Sequence, residues 1–563
     1  MKADLRRILI KKCGSDGFFE SVLSDSAVST AVSCLALEIS NSEKYAEQIY
    51  SAKNWLLNHQ NSDGLYGDSP ESPANLTATF MSYVVLSRDE NNHAKLERAK
   101  DYLLQHFGDF SFASIRKGFL NKYGSDLTFS VPILAMATIA GFFQDARQAW
   151  SAMPQFPFEM VVFPEKIFHC LNLPVVSYAI PALISVGMAQ NAHAGNGLMK
   201  RIRSGVSKRA LRILTEKQPA SGGFLEAAPL TAFCALCLCA AGLSEHVVLE
   251  NALRFLLETQ RSNGAWPIDH SLRQWVTSLT LTILSDSFSE SEKAFYRDLL
   301  KSHQTSTVHP FTKSAPGGWG WTTRSGSVPD ADDTSAALVA LHALGEGPGE
   351  NVLNGINWLL NLQNRDGGIP TFCRGWGHLP FDRSCPDISA HAYKALSLYE
   401  NKLPRVMQRK VISAKKRILR YLEKSQRADG SFVPLWFGDQ LAPDKSAPVY
   451  GSAVVLEHLS GEGTARIMER TKNFLLSCQH QSGGWGSCDS EHDYVIFTAR
   501  CVRALKPFED TKPAVQRALE FLRPYFENPA SVPREPIGLY FAHLWYDEEL
   551  YAPIFLAGCQ GGS

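Results

Sequence analysis

One pattern recurs along the chain at fixed internal spacing: Gln, three residues, Gly, one residue, then a large side chain. It reads Gln60-Gly64-Tyr66, Gln218-Gly222-Phe224, Gln260-Gly264-Trp266, Gln363-Gly367-Ile369, Gln426-Gly430-Phe432 and Gln479-Gly483-Trp485. A degenerate copy, Cys13-Gly17-Phe19, opens the chain, and a stretched one runs from Gln304 to Gly318-Trp319. Equal offsets repeated this often make repetition the first fact about the fold. An amphipathic helix precedes each copy; in 351–363, Val352, Ile356, Leu359 and Leu360 share one face. A turn rich in Gly, Asp and Asn stops that helix. A more apolar helix follows, as in 333–344 and 387–398. Helix, turn and buried helix in alternation predict an all-α fold of α/α barrels with inner and outer helices. The Gln is expected to hydrogen-bond backbone at a helix end, and the aromatic to pack on the neighbouring repeat.

The 563 residues suit two large domains rather than one. Residues 1–25 with 262–563 are expected to form one α/α barrel, the catalytic one, with 26–261 inserted as the other. Lys plus Arg and Asp plus Glu number 56 each, so no overall field calls for nucleic acid. The cysteines, Cys234, Cys237 and Cys239 among them, read as small buried hydrophobes in a reducing compartment rather than a disulfide framework. The apolar runs near 131–143 and 232–243 fall short of the roughly 20 residues that span a membrane. The first residues hold no apolar core of signal-peptide length. The expectation is a chain that is neither secreted nor transmembrane.

Two clusters carry chemistry. Asp330-Ala331-Asp332-Asp333-Thr334 follows a Gly-rich approach, 316–329. The plain reading is an acidic helix N-cap. The functional reading is an acid able to protonate an alkene, because crowded carboxylates hold on to a shared proton. In the second cluster, Asp387 and His391 lie four apart on one helix face, at the start of the next buried helix. Asp387 is there a natural N-cap, and a lone His a satisfied core residue. In an α/α barrel, successive inner-helix starts converge on one rim.

With these residues in place the sequence resembles the squalene–hopene-cyclase-like class II terpene cyclases over nearly its whole length, from about Gly14 to about Leu556. The eight copies match the family's QW repeats, 330–334 its DxDD acid motif, and Asp387 with His391 its Asp-x-x-x-His. The segment 156–179 also looks like a family segment. The resemblance implies a protonation-initiated cyclase that turns squalene or a similar polyprenoid alkene into a polycyclic triterpene such as hopene. Asp332 would be the proton donor, with His391 bonded to it. Asp330, Asp333 and Asp387 would complete the acid cluster, and Tyr450 would help return the proton through water. Trp275, Trp321, Phe372, Trp436, Tyr178, Tyr540, Trp545 and Tyr546 would line the cavity. Phe372 stands where the family has Tyr, Tyr178 where it has Trp and Trp321 where it has Phe. No metal and no organic cofactor is implied. Oxidosqualene cyclases share the repeats but carry Cys after the first Asp of the acid motif.

Residues 197–217 form a basic helix in which Leu198, Ile202, Val206, Ala210 and Ile213 or Leu214 make an apolar stripe. An ordinary surface helix and an interfacial membrane anchor both fit. The resemblance implies docking on the cytoplasmic face of the cell membrane. Expected partners are the polyprenoid lipid, the membrane surface and, as one option, a second copy of the chain. Three rivals stay open. One is a class II cyclase acting on a prenyl diphosphate or prenylated aromatic. Another is a zinc-dependent protein prenyltransferase subunit using Asp382, Cys385 and His391. The third is a non-catalytic lipid-binding toroid.

Overall fold

The computed structural model describes residues 2–20, 22–124, 127–162, 180–194, 197–310, 313–372, 381–538 and 543–560. Among them the regular elements are helices, joined by turns and isolated β-bridges. Backbone packing divides the chain into two compact units, 1–22 with 271–323 and 327–563, and 23–270 with 324–326.

The expected boundaries, 25/26 and 261/262, shift because a repeat closes the second unit on itself. Trp266 N donates to Thr30 Oγ1 at 3.0 Å and its carbonyl accepts from Ser26 N at 2.9 Å. Arg261 pairs with Asp25, and Asn263 Nδ2 donates to the same carboxylate at 2.8 Å. Residues 324–326 join this unit through the buried Glu226, which accepts from Arg324 Nε at 2.8 Å and Gly326 N at 2.7 Å.

In the first unit, six described helices form a closed inner ring: Arg273–Leu284, Ala331–Ala343, Pro386–Tyr399, Pro448–His458, Val495–Leu505 and Tyr551–Cys559. Outside them lie Glu290–Ser302, Glu350–Leu362, Arg405–Ser425, Ala465–Ser477 and Lys512–Glu527, while Lys2–Lys11 packs on Tyr551–Cys559. In the second unit the described inner helices are Ala27–Asn41, Leu76–Leu86, Leu127–Ile139, Ile180–His193 and Ala228–Ala240.

The repeats are the joints of both rings. Each Gln gives its two amide hydrogens to two carbonyls, that of its own Gly and one on a neighbouring outer helix. Gln363 Nε2 reaches Gly367 O at 2.7 Å and Ala414 O at 3.0 Å; Gln479 reaches Gly483 O at 2.9 Å and Ala514 O at 2.8 Å. Gln260 bonds Gly264 O and Gln48 O, both at 3.0 Å, which ties the last outer helix of the second unit to its first. The second carbonyl belongs to the first turn of an outer helix, as with Gln48, Ile467 and Ala514, while Ala414 lies deeper in its helix, so the bonds do fall mostly at helix ends. In the stretched copy Gln304 bonds Gly317 O at 2.7 Å, so Gly317 rather than Gly318 holds the repeat position, and Trp319 then falls at the regular offset.

A second joint recurs beside the first. The backbone N–H of the repeat's large residue donates to a Ser or Thr hydroxyl four residues past the N-cap of an inner helix. Trp319 finds Thr334 at 3.0 Å, Ile369 finds Ser389 at 2.8 Å and Trp485 finds Thr498 at 2.9 Å. Each turn thus fixes where an inner helix begins.

The turn also explains its glycine. Gly367 has φ +97°, and a Cβ there would lie 2.5 Å from Arg417 O. Both the left-handed backbone and the approach of the next helix exclude a side chain.

The cysteine expectation needs one correction. Cys478 and Cys488 form a disulfide, because the Gln479-Gly483-Trp485 turn folds the chain back and brings their Cα atoms to 5.0 Å. Cys234 and Cys237 are free and buried, as expected.

Gly367→Ala is expected to lower the thermal midpoint clearly, with a cost of at least about 2 kcal/mol from strain and contact. Gly347→Ala, where a Cβ meets nothing within 4 Å, is the control and should change it little. Differential scanning calorimetry of both variants checks this.

Candidate active site

Two successive inner helices bring the acid cluster together. Asp330 is the N-cap of Ala331–Ala343, and its Oδ1 accepts from Asp332 N at 2.9 Å and Asp333 N at 2.8 Å. The capping reading and the cluster reading of this segment thus hold at once. Thr334 belongs to the repeat joint described above. The turn before the helix places Asp330 by a bond from its N–H to Trp319 O at 3.0 Å.

On the next inner helix Asp387 is not the N-cap. Cys385 occupies that position and Pro386 the first turn. Asp387 instead accepts from Cys385 Sγ at 2.6 Å. One turn later His391 reaches across: its Nδ1 stands 2.6 Å from Asp332 Oδ1. The His391 side chain is 6% exposed and that of Asp332 is 23% exposed, so Asp332 is the open member of a buried cluster.

Burial sets the proton balance around it. It pushes the Asp330 carboxyl up to about 7, with the Asp332 charge adding to the rise and the bonds to residues 332 and 333 opposing it. Asp333 stands well above the ordinary carboxylate range because it is buried and faces Asp330 and Asp332. Burial lifts Asp387 to about 6, against the Cys385 bond and with the Asp332 charge. Burial penalises several charged carboxylates side by side, so the neighbours of Asp332 take up protons more readily than free carboxylates do.

Asp332, Asp387, His391, Tyr450 and Trp275 border one cavity of about 50 Å³. The Trp275 ring lies edge-on to His391 at 6.2 Å. Tyr450 is buried between Phe437, at 5.1 Å, and Phe497, at 5.6 Å. Burial pushes its hydroxyl up to about 12, with Arg500 opposing.

A second group is aromatic. Phe372 lies 6.0 Å from Trp321 and 5.4 Å from Trp436, both edge-on. Phe381, which the sequence reading missed, stacks on Phe372 at 5.5 Å and meets Trp436 at 5.3 Å. Trp436 is held by Nε1 donating to Thr371 Oγ1 at 2.5 Å, and Thr371 O accepts from Ala331 N at 2.8 Å. The wall is therefore anchored to the helix that carries the acid. Trp321 differs from its neighbour Trp319: Trp319 is fully buried in the repeat, whereas Trp321 is half-buried. Trp545 is buried against Gly438, and the Tyr546 carbonyl accepts from Ile537 N at 3.0 Å. Tyr178 and Tyr540 lie outside the described residues. Asp382, Cys385 and His391 do not gather: among the described residues no three His, Cys, Asp or Glu form a metal-holding group.

The sequence reading also missed Phe437, Glu457, His458, Arg500 and Arg503, all of which border the cavity. The signal was present. His458 lies eight residues after Tyr450, two turns along the same face, and Arg500 interrupts an apolar inner helix.

Comparisons with known proteins agree with this geometry. Residues 275–504 match the squalene-hopene cyclase C-terminal domain, and residues 13–155 the prenyltransferase alpha-alpha toroid domain. The chain belongs to the squalene–hopene-cyclase-like class II terpene cyclases. Enfumafungin synthase of Hormonema carpetanum is 24% identical over 77% of this chain and 38% of its own length. A terpene cyclase–glycosyl transferase fusion protein of Humicola fuscoatra is 23% identical over 87% of this chain and 43% of its own. The chain thus spans about two fifths of these two relatives. The fold is that of ent-copalyl diphosphate synthase from Streptomyces platensis, with a TM-score of 0.54 over 99% of this chain and 97% of that one, at 17% identity.

The raised Asp330 pKa makes the stability of this protein depend on pH. The folded value stands above the ordinary 3.8, so the folded state binds the extra proton between these limits. Stability from this group is complete below about pH 3.8 and is lost as pH rises toward 7. Asn caps a helix as well as Asp and does not ionise. Asp330→Asn is expected to gain stability relative to wild type as pH rises from 4 to 7, by on the order of a few kcal/mol, and its thermal midpoint should rise accordingly. Thermal melts of both proteins across that range measure it.

Proposed function

We propose that the chain cyclises squalene or a similar polyprenoid alkene to a polycyclic triterpene such as hopene, with Asp332 as the acid. The observation that carries this reading is the 2.6 Å bond between His391 Nδ1 and Asp332 Oδ1 on the one half-open carboxyl of a buried cluster. With His391 holding Oδ1, the transferable proton sits on Oδ2. The O–H bond breaks as a C–H bond forms at the less substituted carbon of the terminal double bond, leaving a tertiary cation on the dimethyl carbon. His391 then stabilises the carboxylate left behind. The next double bond attacks the cation, and successive attacks close the rings. The last cation ends by losing a proton to water, or by adding water and losing a proton from the new hydroxyl.

The uncharged rings of Trp321, Phe372, Phe381 and Trp436 suit an apolar chain that carries a moving positive charge. An aromatic face within about 6 Å of a desolvated cation contributes on the order of 2 kcal/mol and offers no nucleophile. Trp275 serves the first cation, beside the acid. Trp545 and Tyr546 add further rings in this reading. It uses no metal and no organic cofactor.

Incubation of the protein with squalene in detergent, followed by gas chromatography–mass spectrometry, is expected to give polycyclic product. Asp332→Asn should abolish it at unchanged thermal midpoint, a loss of at least 1,000-fold, since an amide cannot protonate an alkene. Normal turnover by Asp332→Asn would refute the acid assignment. Conversion of geranylgeranyl diphosphate but not squalene would assign the prenyl diphosphate alternative.

The site of work proposed for the chain is the cytoplasmic face of the cell membrane, reached through the helix Gly197–Lys217. No described helix is long and apolar enough to cross a membrane. The apolar stripe read from the sequence splits: its C-terminal end, Ala210 and Leu214, is buried, while its N-terminal end, Leu198 and Ile202, is exposed. Arg203, Ala210, Leu214 and Lys217 are buried, because Arg203 pairs with Glu159 at 2.9 Å and lies 5.9 Å over Phe158. Leu198, Met199 and Ile202 are left 73%, 49% and 45% exposed, beside exposed Lys200 and Arg201. An apolar tip flanked by cations suits a lipid interface. Replacing Leu198 and Ile202 with Asp is expected to reduce cosedimentation with vesicles containing anionic lipid several-fold. Equal binding by wild type and variant would remove the helix from membrane docking.

A further inference from the structure

The cavity at Asp332 continues down the bore of the first unit, between the later turns of the inner helices. There it is bordered by Val339, Val454, Glu457, His458, Arg500 and Arg503. Two arginines, a glutamate and a histidine are a costly content for a barrel core, and protonation of the alkene gives them no task.

Their arrangement is specific. Glu457 accepts from Arg500 Nη1 at 3.0 Å and from Arg503 Nη2. Burial alone would raise its pKa, but Arg503 and Arg500 hold it well below the ordinary range, so it is a fixed anion between two cations. His458 stacks on His391 with ring centroids 4.6 Å apart. Its Nδ1–H donates to Val454 O at 2.7 Å, which leaves Nε2 as the lone-pair nitrogen. Burial, the adjacent His391 and Arg500 hold the His458 ring well below the imidazole range, against Glu457 and the Val454 bond. The Arg503 and Glu457 side chains keep 20% and 12% exposure, so this end of the bore meets solvent. A buried water needs roughly 10–15 Å³ and two or more polar partners, and a cavity of about 50 Å³ lined by these groups provides both.

We propose that His458 is the relay residue of a proton-return path through this bore, from solvent at Glu457 and Arg503 to the Asp332–His391 pair. The proposal rests on Asp332 being the acid. After each protonation Asp332 is a carboxylate. Water on the solvent side gives a proton to His458 Nε2, so an O–H bond breaks and an N–H bond forms. The imidazolium returns a proton to water in the cavity, and that water protonates Asp332. The hydroxide left in solvent is neutralised by the proton released when the last cation is quenched, so charge and atoms balance over one turnover. A weakly basic imidazole does not retain the proton, and the two arginine charges drive it toward the anion at Asp332. Tyr450 borders the same cavity but its hydroxyl holds its own proton near neutral pH, so it passes protons only by giving and taking together.

Two variants test the relay. His458→Phe keeps a ring against His391 and removes the titratable nitrogen; His458→Ala opens room for a soluble base. Product is followed by rapid quench with squalene, and in parallel with geranylgeranyl diphosphate, first with enzyme in excess and then with substrate in excess. The first turnover should stay within twofold of wild type in both variants, while the steady-state rate falls at least tenfold after a burst of one product per enzyme. Added imidazole should restore His458→Ala and leave His458→Phe slow. A structural role would slow first and later turnovers alike, and that result, or a steady-state rate within twofold of wild type, overturns the proposal. Asp332→Asn is run beside them: product from its first turnover would overturn the acid assignment itself, separately from the relay.

Discussion

A primary amide that donates to two backbone carbonyls at once organises this chain. Each repeat Gln ties its own turn to a neighbouring outer helix, as Gln363 does at Gly367 and Ala414. A neutral hydrogen bond is worth only about 1 kcal/mol net. Repeated around a ring, these bonds set the spacing of the outer helices, and the adjacent hydroxyl joint sets the start of the inner ones. The convergence of Asp332, Asp387 and Tyr450 on one rim follows from that geometry. The acid is placed by joints that contain none of its own atoms.

The chemistry comes from dividing one cluster into unlike environments. Asp330 spends its oxygen on two helix N–H groups and is buried; Asp387 is buried against a thiol; Asp332 alone is half-open and bonded to an imidazole. The same residue type therefore takes different roles through burial and partners. The aromatic wall follows the same logic. Trp319 and Trp321 are two residues apart, yet one ring is locked by Nε1 donating to Leu300 O at 2.7 Å while the other faces Phe372.

Much of this was legible in the sequence because it is periodic or local. The repeats gave the barrels, and the four-residue spacing of Asp387 and His391 gave a shared helix face. What was not legible depends on contacts between distant residues. The stripe read along 198–214 assumed that arginines face water. Arg203 turns inward because Glu159, 44 positions earlier, supplies a counter-charge that no periodicity reveals. The assignment of 262–270 to the inserted unit rests on a bond from Trp266 to Thr30. The Cys478–Cys488 pair needs the turn between them, whose fold-back a count of cysteines does not show. His458 and Arg500 were visible as polar breaks in apolar helices, but their common cavity with Asp332 appears only once three inner helices are in place.

The Gln clamp reads main chain, and main chain is the same in every residue. The carbonyls of Ala414, Ile467 and Ala514 therefore serve whatever side chains those residues carry, although Thr471, Arg470 and Arg517 add side-chain bonds to the same glutamines. Sequence drift is therefore cheap at the solvent-facing positions of the outer layer that touch no Gln, provided the turn keeps its Gln and Gly. A frame held in this way stays in register while residues on its inner rim are exchanged.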